Sequence, residues 1–155
     1  MIKQGLSVAI ITYNEQANIR RTLESVTWAG EIIVVDSGST DDTVSICREY
    51  TDKVFHRDWH GYGNQKNFAI EQSSGEWVLS LDADEPVEPA LADEIRAIIS
   101  SPQSLDAYWI PRKTFFLGKW VRHGGWYPDY NLRLFRKGKG RFEERAVHEA
   151  LHVRG

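Results

Sequence analysis

Apolar and polar positions over residues 1–106 alternate between two kinds of segment. Short, nearly continuous apolar runs occupy Leu6–Thr12, Glu31–Asp36 and Trp77–Asp82. Strands buried on both faces read this way. Residues 53–56 form a shorter run of the same kind. Between the runs the spacing is helical. Ile19, Leu23 and Val26 share one face, and Val44, Ile46, Cys47 and Tyr50 share another. Residues 64–72 form a third helix, and Leu91, Ile95, Ile98 and Ile99 make the inward face of a fourth over 88–100. Residues 37–42 are expected to be a turn that opens the second helix, with Ser and Thr placed to cap it. The order β-α-β-α-β-α-β-α predicts a three-layer α/β/α sandwich around a mostly parallel sheet. After Pro102 the pattern changes: residues 107–112 and 131–136 read as strands, joined by aromatic and glycine-rich links.

The apolar runs end in acids. Trp77, Val78, Leu79 and Leu81 lead into Asp82 and Asp84, and the run from Glu31 ends at Asp36. In an open parallel sheet the C-terminal edge of the strands is where ligands bind. Two carboxylates held close at such an edge repel unless a cation lies between them, and hard oxygen ligands suit Mg²⁺ or Mn²⁺. The alternative for Asp82-Ala83-Asp84-Glu85-Pro86 is an acidic entry to the next helix. Asp36 is placed to accept a hydrogen bond from a ribose or base edge, or else serves as a helix-entry acid. Neither a Gly-x-Gly-x-x-Gly after the first strand nor a Gly-x-x-x-x-Gly-Lys-Ser/Thr loop is present, so phosphates need another holder. A metal on Asp82 and Asp84 together with Lys66 would serve, unless Lys66 is a solvated helix residue.

Composition adds three constraints. A length of 155 residues, 41% hydrophobic and 26% charged, fits one soluble domain with a real core. The single cysteine, Cys47, allows no internal disulfide, fits a reducing compartment and reads as core, not nucleophile. No signal peptide is expected, because the first strand starts almost at once, and no transmembrane helix, because no apolar run approaches the needed length. The net charge of -3 conceals a split: residues 1–109 hold 8 Lys/Arg against 18 Asp/Glu, and residues 110–145 hold 10 against 3. An acidic first part and a basic second part suggest two jobs.

Four motifs in order, Ile10-Ile-Thr-Tyr-Asn-Glu15, Val34-Val-Asp-Ser-Gly-Ser-Thr-Asp41, Gly63-Asn-Gln-Lys-Asn67 and Leu81-Asp-Ala-Asp-Glu85, resemble the inverting glycosyltransferases of family 2, which have the Rossmann-like GT-A fold. Trp126-Tyr-Pro-Asp129, Leu132-Arg-Leu-Phe-Arg136 and Val147-His-Glu149 resemble the branch that adds glucose to the heptose of the lipopolysaccharide inner core. The resemblance implies one GT-A domain over 1–155, with a nucleotide-sugar-binding part at 1–106 and an acceptor-side part at 107–155. It implies that Thr12, Tyr13 and Glu15 line the base pocket and that Asp36 bonds the uracil. Lys66 would lie near the nucleotide, Asp82 would contact the ribose and donor sugar, and Asp84 would hold Mn²⁺ or Mg²⁺ on the diphosphate. The general base would come from the second part, where Asp129, Glu143, Glu144 and Glu149 are the carboxylates after Asp106. Glu149 in Val-His-Glu resembles the family's position, and Asp129 is the second choice. The implied donor is UDP-glucose or another nucleotide-diphosphate sugar. The implied acceptor is a saccharide or glycolipid reached from the cytoplasmic face of the inner membrane. Relatives usually continue past the point where this chain ends, so an incomplete acceptor side is expected. The alternative function is a nucleotide-sugar-binding module without useful catalysis.

Two further features bear on function. Tyr108, Trp109, Phe115, Phe116, Trp120, Trp126, Tyr127 and Tyr130 crowd the basic region, where rings can stack on sugars and cations can pair with acceptor phosphates. The same surface suits peripheral contact with an anionic membrane. Nucleic acid is not expected, since no binding module is present. Trp109 and Phe135 are expected in the core, and residues 123–126 as a lid. His148-Glu-Ala-Leu-His152 spells a zinc-protease pattern, but that motif needs a helix and a third ligand downstream. The alternation of Val147, Leu151 and Val153 with His148 and His152 suits a strand instead.

Overall fold

A computed structural model describes residues 5–102, 105–111, 130–142 and 151–153. Its elements run β1 (Leu6–Thr12), α1 (Ile19–Glu24), β2 (Glu31–Asp36), α2 (Thr43–Cys47), β3 (Val54–His56), α3 (Tyr62–Gln72), β4 (Trp77–Asp82), α4 (Pro89–Ser100), β5 (Ala107–Pro111), β6 (Tyr130–Arg136), β7 (Gly140–Phe142) and β8 (Leu151–Val153). The main sheet has the order β3-β2-β1-β4-β6-β5, and β7 and β8 form a separate pair. β1 pairs in parallel with β2 and β4, and β2 pairs in parallel with β3. β6 runs antiparallel to both β4 and β5. The expected three-layer sandwich with a mostly parallel sheet is the observed one. β5 and β6 extend the sheet built by β1 to β4, so the strands after residue 106 share one sheet with those before it.

Alternation along the strands creates the layers. Leu6, Val8 and Ile10 of β1, with Val34 of β2 and Leu79 of β4, pack against Ile19 and Leu23 of α1, Cys47 of α2 and Ile95 of α4. The intervening Ala9, Ile33, Val35 and Val78 face the other way, against Ala69 and Ile70 of α3 and Phe135 of β6. Phe135 is fully buried, as expected. The side chain of Trp109 lies outside the described residues. Cys47 is also fully buried; burial and the nearby Asp36 charge push its thiol up to about 12. It is core and not a nucleophile.

The structure corrects three local expectations. α2 stops at Cys47, so Tyr50 lies beyond it and instead donates to Glu24 Oε2 at 2.8 Å. Neither Ser nor Thr caps α2: its N-cap is Asp42, without a side-chain bond. The Ser39 hydroxyl of the preceding turn is used elsewhere, as the site below shows. Val26 falls after the end of α1 yet is fully buried. His152 lies on strand β8, which agrees with the strand reading and not with a zinc-protease helix. Among the described residues, no helix is long and apolar enough to cross a membrane.

The N-terminal edge of the sheet is tied together by one carboxylate. Glu31 accepts from Ser7 Oγ at 2.5 Å, from Lys53 Nζ at 2.5 Å, and from the Ser74 N–H and hydroxyl at 2.8 and 2.9 Å. Burial works against its charge, but the bonds from Lys53, Ser7 and Ser74 prevail and lower its pKa from 4.5 to about 2. A depressed folded-state pKa contributes stability that is complete above the unfolded value and is lost as pH falls through the folded one. Glu31→Gln should therefore cost about 2 kcal/mol near neutral pH, the scale of bonds to a charged group. It should also flatten the decline in stability between pH 4.5 and 2. Urea unfolding of both proteins across that window checks this.

Candidate functional site: a cleft at the strand ends

Register places the acids. Thr12 of β1 stands opposite Asp36 of β2, and Ile11 stands opposite Asp82 of β4. The C-terminal ends of three parallel strands thus finish side by side. The loops beyond them enclose a cleft of about 790 Å³ lined by Ile11, Thr12, Tyr13, Glu15, Ser37, Trp59, Tyr62, Asp82, Ala83 and Asp84. That volume is within the range of small-molecule sites. A second cleft of about 670 Å³ lies at the opposite edge of the sheet, around Glu31 and Lys53. Both of its acids are already engaged, Glu31 by the Ser7, Lys53 and Ser74 bonds described above and Glu76 by Arg136 at 2.7 Å.

The first two loops are stitched to each other. Asn14 adopts a left-handed backbone, φ 50°, which asparagine tolerates better than most residues. Its N–H donates to Ser39 Oγ at 2.7 Å, and its side-chain oxygen accepts from the Thr40 N–H at 2.8 Å. The Glu15 N–H donates to Thr43 Oγ1 at 2.8 Å, while Thr43 donates its own hydroxyl to Asp41 Oδ1 at 2.5 Å. Gly38 has φ 113°, a conformation that a side chain would strain. The polar residues after β1 and β2 are therefore largely a clamp between loops.

Asp36 is 3% exposed and is the centre of that clamp. Its Oδ1 accepts from Thr12 Oγ1 at 2.7 Å and Ser39 Oγ at 2.6 Å, and its Oδ2 accepts from the N–H groups of Gly38 and Ser39 at 2.9 and 2.8 Å. Burial opposes the charge, but these four bonds outweigh it and hold the carboxyl below the ordinary range. Four donors fill the four lone-pair positions of a carboxylate. In this arrangement Asp36 shapes the loop and orients Thr12; it does not line the cleft.

The turn after β4 is held from both sides of the sheet. Thr22 of α1 donates its hydroxyl to the Ala83 carbonyl at 2.7 Å, between the two aspartates, and the Val87 N–H donates to Ser25 Oγ at 2.8 Å. The Asp82 N–H donates to Glu85 Oε1 at 2.9 Å. Arg133 of β6 grips Glu85 through both terminal nitrogens and lies 3.8 Å from Asp82. Lys66 of α3, only 4% exposed, lies 3.5 Å from the other Asp82 oxygen, Oδ1. Lys66 is thus a buried cation and not a solvated one. The acids of this turn do not cap α4, whose N-cap is Glu88. Asp84 is exposed to the cleft.

Of the residues singled out in the sequence, Thr12, Tyr13, Glu15, Asp82 and Asp84 meet in one cleft. Asp36 and Lys66 sit behind it, supporting Thr12 and Asp82. Asp129, Glu143, Glu144, Glu149, Trp126 and Tyr127 lie outside the described residues. Sequence reasoning missed Arg133, Glu85, Thr22, Trp59 and Tyr62. One signal was legible: an arginine inside the apolar alternation of residues 130–136 has to find a buried partner.

The donor set suits a hard divalent cation. Among the described residues no group of three or more His, Cys, Asp or Glu side chains converges. Mg²⁺ commonly takes just one or two carboxylates and completes its shell with waters and substrate phosphates. Asp82 already faces two protein cations, so Asp84 is the freer ligand of the two.

Comparison with known proteins agrees with this geometry. The profile of Glycosyl transferase family 2 matches residues 7–152. The lipopolysaccharide core biosynthesis glycosyltransferase LpsC of Rhizobium meliloti is 34% identical over 99% of this chain and 59% of its own length. An uncharacterized glycosyltransferase of Rickettsia felis is 46% identical over 63% of this chain and 35% of its own length. The chain thus spans less than two thirds of the length of these relatives. Among solved structures, S. aureus TarS 1-349 in complex with UDP-GlcNAc superposes with a TM-score of 0.64 at 22% identity, over 86% of this chain and 46% of that one. Glucosyl-3-phosphoglycerate synthase from Mycobacterium tuberculosis, with Mn²⁺ and UDP-glucose, gives 0.57 at 23% identity, over 68% and 42%. These likenesses bear out the expected GT-A architecture. The chain belongs to glycosyl transferase family 2.

Proposed function

We propose that this chain binds a nucleotide-diphosphate sugar and transfers its hexose, glucose from UDP-glucose, to a lipid-linked saccharide of the lipopolysaccharide core type, with inversion at the anomeric carbon. The observation that carries the reading is the convergence of Asp82 and Asp84 with Thr12, Tyr13 and Glu15 in one cleft at the C-terminal edge of the sheet. The sugar-nucleotide complexes of the structural neighbours and the core-biosynthesis name of the Rhizobium relative support the donor and acceptor classes. The basic and aromatic composition of residues 110–145 supports an anionic glycolipid acceptor, met in the cytoplasm by peripheral contact with the inner membrane.

In this reading each residue has a task. Tyr13 offers a ring to the base, with Thr12 and Glu15 beside it, and Asp36 keeps Thr12 and the Ser37 turn in place. Lys66 and Arg133 hold Asp82 at the ribose and donor sugar and supply positive potential near the diphosphate. Asp84, with Asp82, would hold Mn²⁺ or Mg²⁺, which when bound neutralises charge on the departing diphosphate. Glu149 is the proposed base, taking the proton from the acceptor hydroxyl as it attacks in line, with Asp129 the second choice. A single displacement inverts the anomeric centre.

Two experiments follow. With UDP-glucose and a lipopolysaccharide core oligosaccharide, Glu149→Gln should lower kcat by about 10²–10⁴, the usual worth of a general base, and leave UDP affinity unchanged. A loss confined to Asp129→Asn would move the base to that residue. UDP binding without turnover in the unmodified chain would contradict the enzyme reading. Thr22→Val, nearly the same shape, leaves the Ala83 carbonyl without its donor. It should cost about 1–3 kcal/mol of stability and weaken UDP binding. Unchanged UDP affinity would show that α1 does not position the acids.

A further inference from the structure

Among the described residues the exposed large hydrophobic side chains are Tyr13, Trp59, Tyr62 and Leu105. Three of these four line the same cleft. Isolated exposed apolar residues need no explanation, but a cluster in a concave site marks a contact surface. Trp59 and Tyr62 also touch each other edge to face, with ring centroids 4.7 Å apart and planes at 89°. Each ring thus limits the motion of the other while staying 46% and 50% exposed.

The backbone that carries the pair is fixed. The Arg57 N–H donates to the Asp36 carbonyl at 2.9 Å, continuing from the end of β3. The Arg57 guanidinium donates to Asn64 Oδ1 at 2.9 Å and stacks 4.6 Å from the Phe68 ring. Gln65 Nε2 donates to the Arg57 carbonyl at 3.1 Å. These bonds close the segment from Arg57 to Gln65 on itself. Gly61, at φ 107°, supplies the backbone turn that starts α3 at Tyr62. The rings are presented to the cleft by a preformed wall.

We propose that Trp59 and Tyr62 form an aromatic wall of the donor site that stacks on the pyrimidine base of the nucleotide; the proposal rests on the donor-site reading above. Strand order sets the direction of the ligand. The acids sit at the end of β4, whereas Trp59 follows β3, three strands away. Three strand spacings put the ends of β3 and β4 about 14 Å apart, room along the rim for an extended nucleoside diphosphate. Phosphates held at the Asp82 and Asp84 end through a divalent cation place the base toward the Trp59 end, with Tyr13, the residue after β1, also beside it. The donor sugar then points past β4 toward β6 and the acceptor-side part. A planar base suits these rings because every base has a π-face, and the wall discriminates nucleotides from phosphates alone.

Calorimetric titration with Mn²⁺ present tests this, using UDP and inorganic pyrophosphate as separate probes. Trp59→Ala should weaken UDP by about tenfold or more, the scale of a lost base–aromatic stack, and leave pyrophosphate affinity unchanged. Trp59→Phe should restore most of the UDP affinity. Tyr62→Ala, which frees the indole, should give a smaller loss in the same direction. Unchanged UDP affinity in Trp59→Ala overturns the wall and leaves the donor site standing. Equal loss of UDP and pyrophosphate also overturns it, because the damage is then not at the base. Failure of the unmodified chain to bind UDP overturns this proposal and the donor-site reading together. The wall stays open to refutation even if Trp59→Ala fails to fold: the fluorescence of the unmodified chain should be quenched by UDP and not by pyrophosphate, and quenching equal to that of Trp59→Phe overturns it.

Discussion

A slip of one residue between β1 and either neighbour would undo the site and the core at once. Leu6, Val8 and Ile10 would turn away from α1 and α4, and Thr12 would lose Asp36. Strand side chains alternate strictly, so a buried face specifies register. Each fully buried Leu, Ile or Val contributes about 1.5–3 kcal/mol, and a slip would displace a whole face of them at once, whereas each polar contact at the rim counts singly. The hydrophobic pattern therefore decides where the acids land. Thr12 against Asp36 and Ile11 against Asp82 are consequences of filling the core.

Charge balance is the second constraint. Lys66 and Arg133 are nearly inaccessible to solvent, and an unpaired buried ion costs several kcal/mol. Asp82 and Glu85 meet them, and the turn after β4 becomes a node joining α1, α3, β4 and β6. The same pairing leaves Asp84 as the exposed carboxylate of the motif. Pre-organised charges of this kind need little rearrangement when a charged ligand arrives. The Asp36 clamp does the equivalent for the loops after β1 and β2, using buried hydrogen bonds where the β4 turn uses ion pairs.

Much of this was legible in the sequence because the relevant signals are local. Apolar runs that stop at an acid mark both a buried strand and its functional end, so β1, β2, β4 and the Asp82–Asp84 rim could be read directly. What could not be read involves pairings across the fold. Arg133 and Glu85 are 48 positions apart, and nothing local ties Thr22 to Ala83. The serines and threonines after β2 looked like helix caps, since capping is their commonest local use. Ser39, the Thr40 N–H and Thr43 instead serve the clamp with Asn14, Glu15, Asp36 and Asp41, and α2 begins without a side-chain cap. Asp36 shows the limit most clearly. Its position at a strand end was right, yet its four donors are visible only once the loop is folded.

The most direct test of the donor site is calorimetric titration of UDP with and without Mn²⁺, into the unmodified chain and Asp84→Ala. The account predicts binding that strengthens with Mn²⁺ in the unmodified chain and loses that dependence in Asp84→Ala. Equal Mn²⁺ dependence in both proteins would contradict the role given to Asp84. Absence of UDP binding under either condition would contradict the donor site itself.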